Sequence, residues 1–321
     1  MSYTIRAMFP ALLLSLSLTH TLPAMAADPA PASDAAAQTP AERPALLPRE
    51  EEEAQALARR LPAEELQRLQ AGSTEFLALW RPANTEDPQG AVIIVPGADQ
   101  SPDWPDVVGP LRRKFPDVGW ATLSLAMPDI QDPALQPREA DASPASAEGK
   151  PAESKSDAPA DDQSRQQADA DQAAAAQVLA QAQAEQIFSR LDSAIAFARQ
   201  NKARSIVLAG HGSGAYWAAR YVSERPGVQV QKLVMIAASE PAAASPSLTS
   251  VIPALKIQTA DFVYKNPLSR AAEERLQVSR RSKGAGYTQV GLVNMAGTSD
   301  AEQEQLFRRV RGWVQPEAGD N

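Results

Sequence analysis

The chain has 321 residues, a formal net charge of −8 and no cysteine. Without cysteine it can form neither a disulfide framework nor a cysteine-linked lipid anchor. The acidic balance excludes the basic surface that nucleic acid or anionic lipid requires, so no nucleic-acid partner is expected. Only two histidines occur, which excludes zinc held by four thiolate or imidazole ligands.

The first 26 residues have the parts of a secretory signal peptide. Arg6 is the one charge, an apolar stretch follows it, and the small-residue pattern Ala24-Met25-Ala26 ends the segment. Pro10 interrupts the apolar stretch, which is therefore too short to cross a membrane. We expect cleavage after Ala26, a periplasmic location and no transmembrane span.

Two further segments lack the large apolar side chains that a core requires. Residues 27–48 are mostly Ala, Pro, Ser and Asp, and residues 131–186 hold eleven acidic and four basic residues and no aromatic one. Such segments bury too little apolar surface to offset the entropy of ordering. We predict a disordered tether at 27–48 and a disordered, low-complexity acidic insertion at 131–186, helical near 172–186 where Ala and Gln dominate. Residues 317–321 form a tail.

Residues 49–130 and 187–316 remain as a single domain. The run at 91–95 is apolar on both faces, which is typical of a strand at the centre of a sheet covered by helices. Strands are predicted at 75–82, 90–96, 119–127, 205–209, 232–237, 254–259 and 287–295. Helices are predicted at 50–70 with a break at Pro62, at 104–115, from 187 onward, and at 214–224, 267–280 and 300–314. This alternation predicts an α/β fold with a doubly wound, mainly parallel sheet.

A glycine-rich turn at 210–215, Gly-His-Gly-Ser-Gly-Ala, joins one of these strands to the next helix. Glycine accepts the positive φ and the close backbone approach that such a turn imposes. With its neighbouring motifs, the turn resembles that of an uncharacterised bacterial family of exported α/β-hydrolase-like proteins, a domain of unknown function. The other motifs behind this resemblance are the apolar strand before Pro96-Gly97, Trp104-Pro105 and Gly119-Trp120.

The resemblance implies an α/β-hydrolase-like domain whose nucleophile elbow is degenerate. In the elbow pattern Gly-x-Ser-x-Gly the serine is the third residue, whereas here Gly212 is third and Ser213 follows it. Asp261 follows a later predicted strand, as the triad acid should. No histidine follows the last strand, and His211 lies inside the turn itself. Ser213, Asp261 and His211 are the candidate catalytic residues, but they do not predict an ordinary Ser-His-Asp triad.

We favour a non-catalytic hypothesis for this turn. The helix that begins there would direct backbone N–H groups and the positive end of its dipole at a crevice beside the loop of Gly97, Ala98 and Asp99. With Gly212, Ser213 and Gly214, this loop would form a pocket for a carboxylate or carbonyl. The predicted function is a periplasmic ligand-binding or adaptor protein without a cofactor, whose partner is a small ligand or an envelope protein.

Two alternatives stay open. Ser213 would serve a divergent esterase or peptidase if a group other than histidine took its proton; as a residue at a helix start, it would otherwise cap the helix. The spacing Gly210-x-Gly212-x-x-Ala215 also fits a dinucleotide-binding fingerprint, with Glu240 as the ribose partner.

A metal site is not expected. Carboxylates at Asp99, Asp103 and Asp106 follow the apolar strand, but their spacing matches no calcium loop.

Overall fold

The computed structural model describes residues 47–129, 160–241, 244–265, 268–282, 286–295 and 299–315. The predicted signal peptide, nearly all of the tether, the first part of the insertion up to residue 159 and the tail lie outside these residues. In the part of the chain that is described, no helix is long and apolar enough to cross a membrane.

Seven α-helices and eight strands form the described fold. The helices are α1 Arg49–Arg60, α2 Val108–Lys114, α3 Ala160–Gln200, α4 Ser213–Glu224, α5 Leu248–Val251, α6 Arg270–Arg281 and α7 Ser299–Val314. The strands are β1 Leu66–Ala71, β2 Thr74–Arg81, β3 Gly90–Val95, β4 Trp120–Leu125, β5 Ile206–His211, β6 Lys232–Ile236, β7 Gln258–Tyr264 and β8 Tyr287–Leu292.

The eight strands form one sheet in the order β1-β2-β4-β3-β5-β6-β7-β8. The pairs β1 with β2 and β2 with β4 are antiparallel, and all the other pairs are parallel. This arrangement confirms the predicted α/β fold with a mainly parallel sheet. In such sheets ligands bind outside the carboxyl ends of the strands, where the turn after β5 lies.

Apolar side chains on both faces of the central strands explain why helices cover both faces. Every residue of β3 and β4 is buried. One core cluster contains residues of α3, α4 and α5, and another on the opposite face contains residues of α2 and α7. Residues that alternate along β5 belong to the two clusters in turn, as the period of two along a strand requires.

Two predicted boundaries were wrong, each for a local reason. Residues 66–70 were predicted as helix, but they form β1, which pairs with β2 through a turn at Gly72 with φ +59°. The strand predicted at 254–259 begins at Gln258. The apolar residues before it form α5 and a 3₁₀ turn, Ile252–Ala254, that contains a proline.

The helix predicted near 172–186 within the insertion begins earlier, at residue 160, as part of α3. The predicted disorder is therefore wrong for residues 160–171. Ala and Gln favour helix intrinsically, and this stretch continues directly into the amphipathic helix predicted from 187. The two parts of α3 differ in burial. Between residues 173 and 183 no side chain is buried, whereas Ala184, Ile187, Phe188 and Leu191 pack against the sheet.

Candidate functional site

The turn between β5 and α4 has the sharp geometry of a strand-to-helix elbow. Gly212 lies at its apex with φ +56° and ψ −125°, a conformation that glycine adopts far more readily than other residues. Its N–H donates to the carbonyl of Ile236 at 3.0 Å, and its own carbonyl accepts from the N–H of Ser239 at 3.1 Å. The apex is therefore fixed to β6 and to the loop that follows it.

The two outer glycines of the turn are required by close packing. A Cβ on Gly210 would lie 2.4 Å from the Cα of Ala215, and one on Gly214 would lie 2.2 Å from the carbonyl oxygen of Val95. At the apex, a Cβ on Gly212 would meet nothing nearer than the Ser239 hydroxyl at 3.7 Å. The position that holds the nucleophile in an elbow therefore has room for a side chain but carries none.

Ser213 points its hydroxyl at the loop after β3. Its Oγ accepts a hydrogen bond from the N–H of Ala98 at 2.9 Å. The expectation that it caps α4 is wrong, because Gly212 is the N-cap residue and no side chain caps the helix. The hydroxyl is instead committed to a segment 115 residues away in sequence.

The neighbouring N–H of the same loop is also bonded to a side chain. Gly97 donates to Oε1 of Gln100 at 2.9 Å, and Nδ1 of His211 lies 2.7 Å from that same oxygen. Because an N–H donor identifies this atom as the amide oxygen, Nδ1 of His211 carries the proton and Nε2 is an acceptor. Gln100 thus fixes both the loop and the imidazole.

The environment of His211 keeps its ring neutral. Burial lowers the pKa of His211 to about 4, against the opposite effect of the Asp106 carboxylate. A neutral ring near neutral pH could accept a proton or a hydrogen bond at Nε2. Nδ1 faces Gln100 and the hydroxyl of Ser213 faces Ala98, so the structure brings both candidates to one loop but gives each a different partner.

Arg49, which the sequence reasoning missed, holds the loop from its other side. Its Nη2 donates to the carbonyl of Ala98 at 2.6 Å and its Nε to Asp129 at 3.0 Å. Both the N–H and the carbonyl of Ala98 are therefore hydrogen-bonded to side chains. Asp99, predicted to line the pocket, is exposed.

Asp261 is not placed as a triad acid. It lies within β7 rather than after it, and it is fully buried. Its carboxylate accepts from Arg275 at 2.9 and 3.3 Å and from the hydroxyl of Tyr287 at 2.6 Å. Burial and the Asp261 charge raise the pKa of Tyr287. Asp261 therefore belongs to a buried ion pair that joins β7 to α6.

A cavity of about 430 Å³ lies beside the elbow, on the face covered by α2 and α7. Its apolar wall comes from Trp104, Val107 and Leu306, and its polar lining comes from Gln100, Asp106, His211, Tyr264, Asn294, Ser299, Glu302 and Gln303. Sequence reasoning missed Tyr264, Glu302 and the α7 contribution, because the order of the strands decides which loops meet here.

One of the three carboxylates predicted not to bind metal, Asp103, forms ion pairs. Asp103 accepts from Arg112 at 3.0 Å and from Arg113 at 2.9 Å. No cluster of three or more metal-ligating side chains occurs among the residues that the structure describes.

Glu240, the ribose partner in the dinucleotide alternative, already has a structural role. It accepts the backbone N–H of Leu248 at 2.8 Å, at the start of α5. No feature of the described site favours the dinucleotide alternative.

Comparisons with known proteins agree with this architecture. A structure described as a dienelactone hydrolase of Klebsiella pneumoniae matches with a TM-score of 0.51 and 14% identity, over 77% of this chain and 96% of that one. An esterase of Pyrococcus furiosus matches with a TM-score of 0.49 and 12% identity, over 78% and 88%. At 14% identity the first of these likenesses shows the α/β-hydrolase fold alone. No curated protein matches the chain.

The family comparison covers nearly the whole chain. One family model matches residues 9–316, a span that includes every element of the sheet and both sides of the crevice. The chain therefore belongs to the family described as Protein of unknown function, DUF3530.

Proposed function

We propose that this chain is a periplasmic ligand-binding protein that keeps the α/β-hydrolase fold without its catalysis. One observation carries the proposal. The N–H groups of Gly97 and Ala98, in the loop that supplies an oxyanion donor in hydrolases, are both bonded to side chains of the chain itself. Acyl transfer requires such donors to be free and aimed at the developing oxyanion.

The nucleophile and its base support the same conclusion. The elbow apex is Gly212, which has no hydroxyl, and the hydroxyl of Ser213 is bonded to the loop. A serine needs a base within hydrogen-bond reach to become a nucleophile. His211 directs its protonated nitrogen at Gln100 instead.

The acid of a triad is also committed elsewhere. Asp261 of β7 pairs with Arg275 of α6, so it is not available to orient an imidazole at the edge of the sheet. What remains functional at this edge is the cavity, which has an aromatic wall and several polar groups that converge on it. Such a lining is typical of a site that binds a small molecule.

Labelling with a fluorophosphonate probe and hydrolysis of p-nitrophenyl acetate test the proposal. Three proteins are compared: wild type, Ser213→Ala, and Gly212→Ser, which restores a hydroxyl at the elbow apex where a Cβ has room. We expect no labelling at residue 213 and the same background hydrolysis in all three, because His211 directs its protonated Nδ1 at Gln100 and Asp261 is paired with Arg275, so neither hydroxyl has a base held by a triad acid. Far-UV circular dichroism checks that each variant is folded.

Labelling of wild type that disappears in Ser213→Ala would show a reactive serine and contradict the proposal. It would instead support the divergent esterase or peptidase. Activity gained by Gly212→Ser would show that a competent base and oxyanion donors exist, and would limit the loss of catalysis to one missing side chain.

A further inference from the structure

The charged groups of the cavity beside the elbow are of one sign. Asp106 and Glu302 line it, and no lysine or arginine does among the described residues. Neither carboxylate forms an ion pair with a basic side chain in the part of the chain that the structure describes. Burial and the nearby carboxylate of Glu302 raise the pKa of the Tyr264 hydroxyl to about 12.

Two neighbouring carboxylates outside the cavity, unlike the two that line it, form ion pairs with basic side chains. Glu304 lies two residues further along α7 and binds both Lys114 and Arg308 at 2.6 Å. Asp103, close to Asp106 in sequence, binds Arg113 at 2.9 Å. Arg113, Lys114 and Arg308 are therefore engaged outside the cavity, and among the described residues no basic side chain pairs with the two carboxylates that face it.

The remaining lining also suits a positive ligand. Trp104 and Tyr264 supply aromatic rings, which attract cations through their negative faces. Nε2 of His211 is a neutral acceptor, because Nδ1 carries the proton bonded to Gln100. A neutral imidazole adds an acceptor for an ammonium N–H without adding a repelling charge.

An anion is disfavoured in this cavity, because its two carboxylates repel it. The carboxylate pocket expected from the sequence is a different place, since none of residues 97–99 and 212–214 lines this cavity. The N–H groups of Gly97, Ala98 and Gly212 are in addition bonded within the chain.

We propose that this cavity binds a small organic cation that carries a protonated amine, with the ammonium group facing Asp106 and Glu302. The inference rests on the proposed ligand-binding function and names the chemical class of the ligand. The cavity volume of about 430 Å³ lies near the lower end of the range for small-molecule sites.

Isothermal titration of the protein with putrescine tests this inference, with 1,4-butanediol as an uncharged probe of the same length. We expect putrescine to bind, butanediol not to bind, and the affinity for putrescine to fall as salt is raised, because exposed charges are screened. The double variant Asp106→Asn, Glu302→Gln should lose at least tenfold in affinity. Asp300→Asn, in the same first turn of α7 but outside the cavity lining, should bind as wild type does.

Three results would overturn the inference. Equal binding of putrescine and butanediol would leave a binding site but remove the role of charge. Binding of succinate in preference to putrescine would reverse the assigned sign. Absence of putrescine binding by folded protein would reject a cation site, whereas the proposed loss of catalysis is judged separately by the labelling of Ser213. Thermal unfolding of each variant excludes loss of fold as the cause.

Discussion

Two polar clusters of this molecule hold the candidate catalytic residues in different ways. The mid-sheet cluster consists of Asp261, Arg275, Tyr287 and Gln289, and its ion pair is fully buried within β7 and α6. The edge cluster consists of Gly97, Ala98, Gln100, His211 and Ser213, and its hydrogen-bonded groups are uncharged and mostly partly exposed. Both clusters satisfy their polar groups internally, but only the second adjoins a cavity.

The difference shows how burial and charge decide what a polar group can do. Breaking the mid-sheet pair would strand a buried charge, so this cluster has one stable arrangement. Hydrogen bonds of the edge cluster join uncharged partners, so losing one of them costs less free energy than losing the buried ion pair. Polar residues therefore maintain the sheet in one region and hold the loop that borders a cavity in the other.

The largest effect is expected for Asp261→Ala. The change leaves the Arg275 guanidinium buried without its partner, which should lower the free energy of unfolding by about 3–5 kcal/mol. Urea unfolding measures this. Asp87→Ala is the matched control, since it breaks an ion pair with Arg204 whose side chains are 84% and 62% exposed, and such pairs contribute about 1 kcal/mol or less. Equal losses in the two variants would contradict the distinction between the clusters.

A smaller effect, dependent on pH, is expected from His211. Its pKa is about 4 when folded and about 6.5 when unfolded, so the unfolded state binds the proton more tightly. The resulting stability is present above pH 6.5 and is lost as the pH falls toward 4, by about 2 kcal/mol at pH 4.5. Urea unfolding at pH 7 and pH 4.5 should show a smaller loss for His211→Asn than for wild type. An identical loss in both proteins would contradict a neutral, buried imidazole.

The smallest effect is expected for Ser213→Ala. The change removes the acceptor of one hydrogen bond, and the N–H of Ala98 lies at a partly exposed position where water can replace the hydroxyl. The free energy of unfolding should fall by about 1 kcal/mol or less. Gln100→Ala, which removes an acceptor shared by Gly97 and His211, should cost more. A larger loss for Ser213→Ala than for Gln100→Ala would overturn this order.

The fold could be predicted from the sequence where local patterns are strong. Strand β3 is apolar on both faces. The elbow needs glycine at residues 210 and 214, because any Cβ there would overlap neighbouring backbone atoms. These patterns place the elbow between a buried strand and a helix, as the structure has it. Local patterns do not predict the order of the strands in the sheet, and this order brings α7 and the end of β7 to the same cavity.

The site was harder to predict, because its contacts join distant parts of the chain. His211 and Gln100 are 111 residues apart, and Arg49 and Ala98 are 49 apart. No short motif encodes such pairs. Asp261 was placed after its strand because the apolar residues before Gln258 resemble a strand, whereas the carboxylate of Asp261 is stabilised inside β7 by a helix that follows it.

The uneven burial of α3 has a consequence for how the chain would respond to a protease. Residues 173–183 have no buried side chain, so little apolar burial stabilises this length of helix, and a helix without such burial is marginal in water. A nick there would divide the polypeptide between β4 and β5. The two fragments would stay associated, because β3 pairs with β5 along five residues and Glu50 binds the buried Arg190 at 2.7 and 2.9 Å.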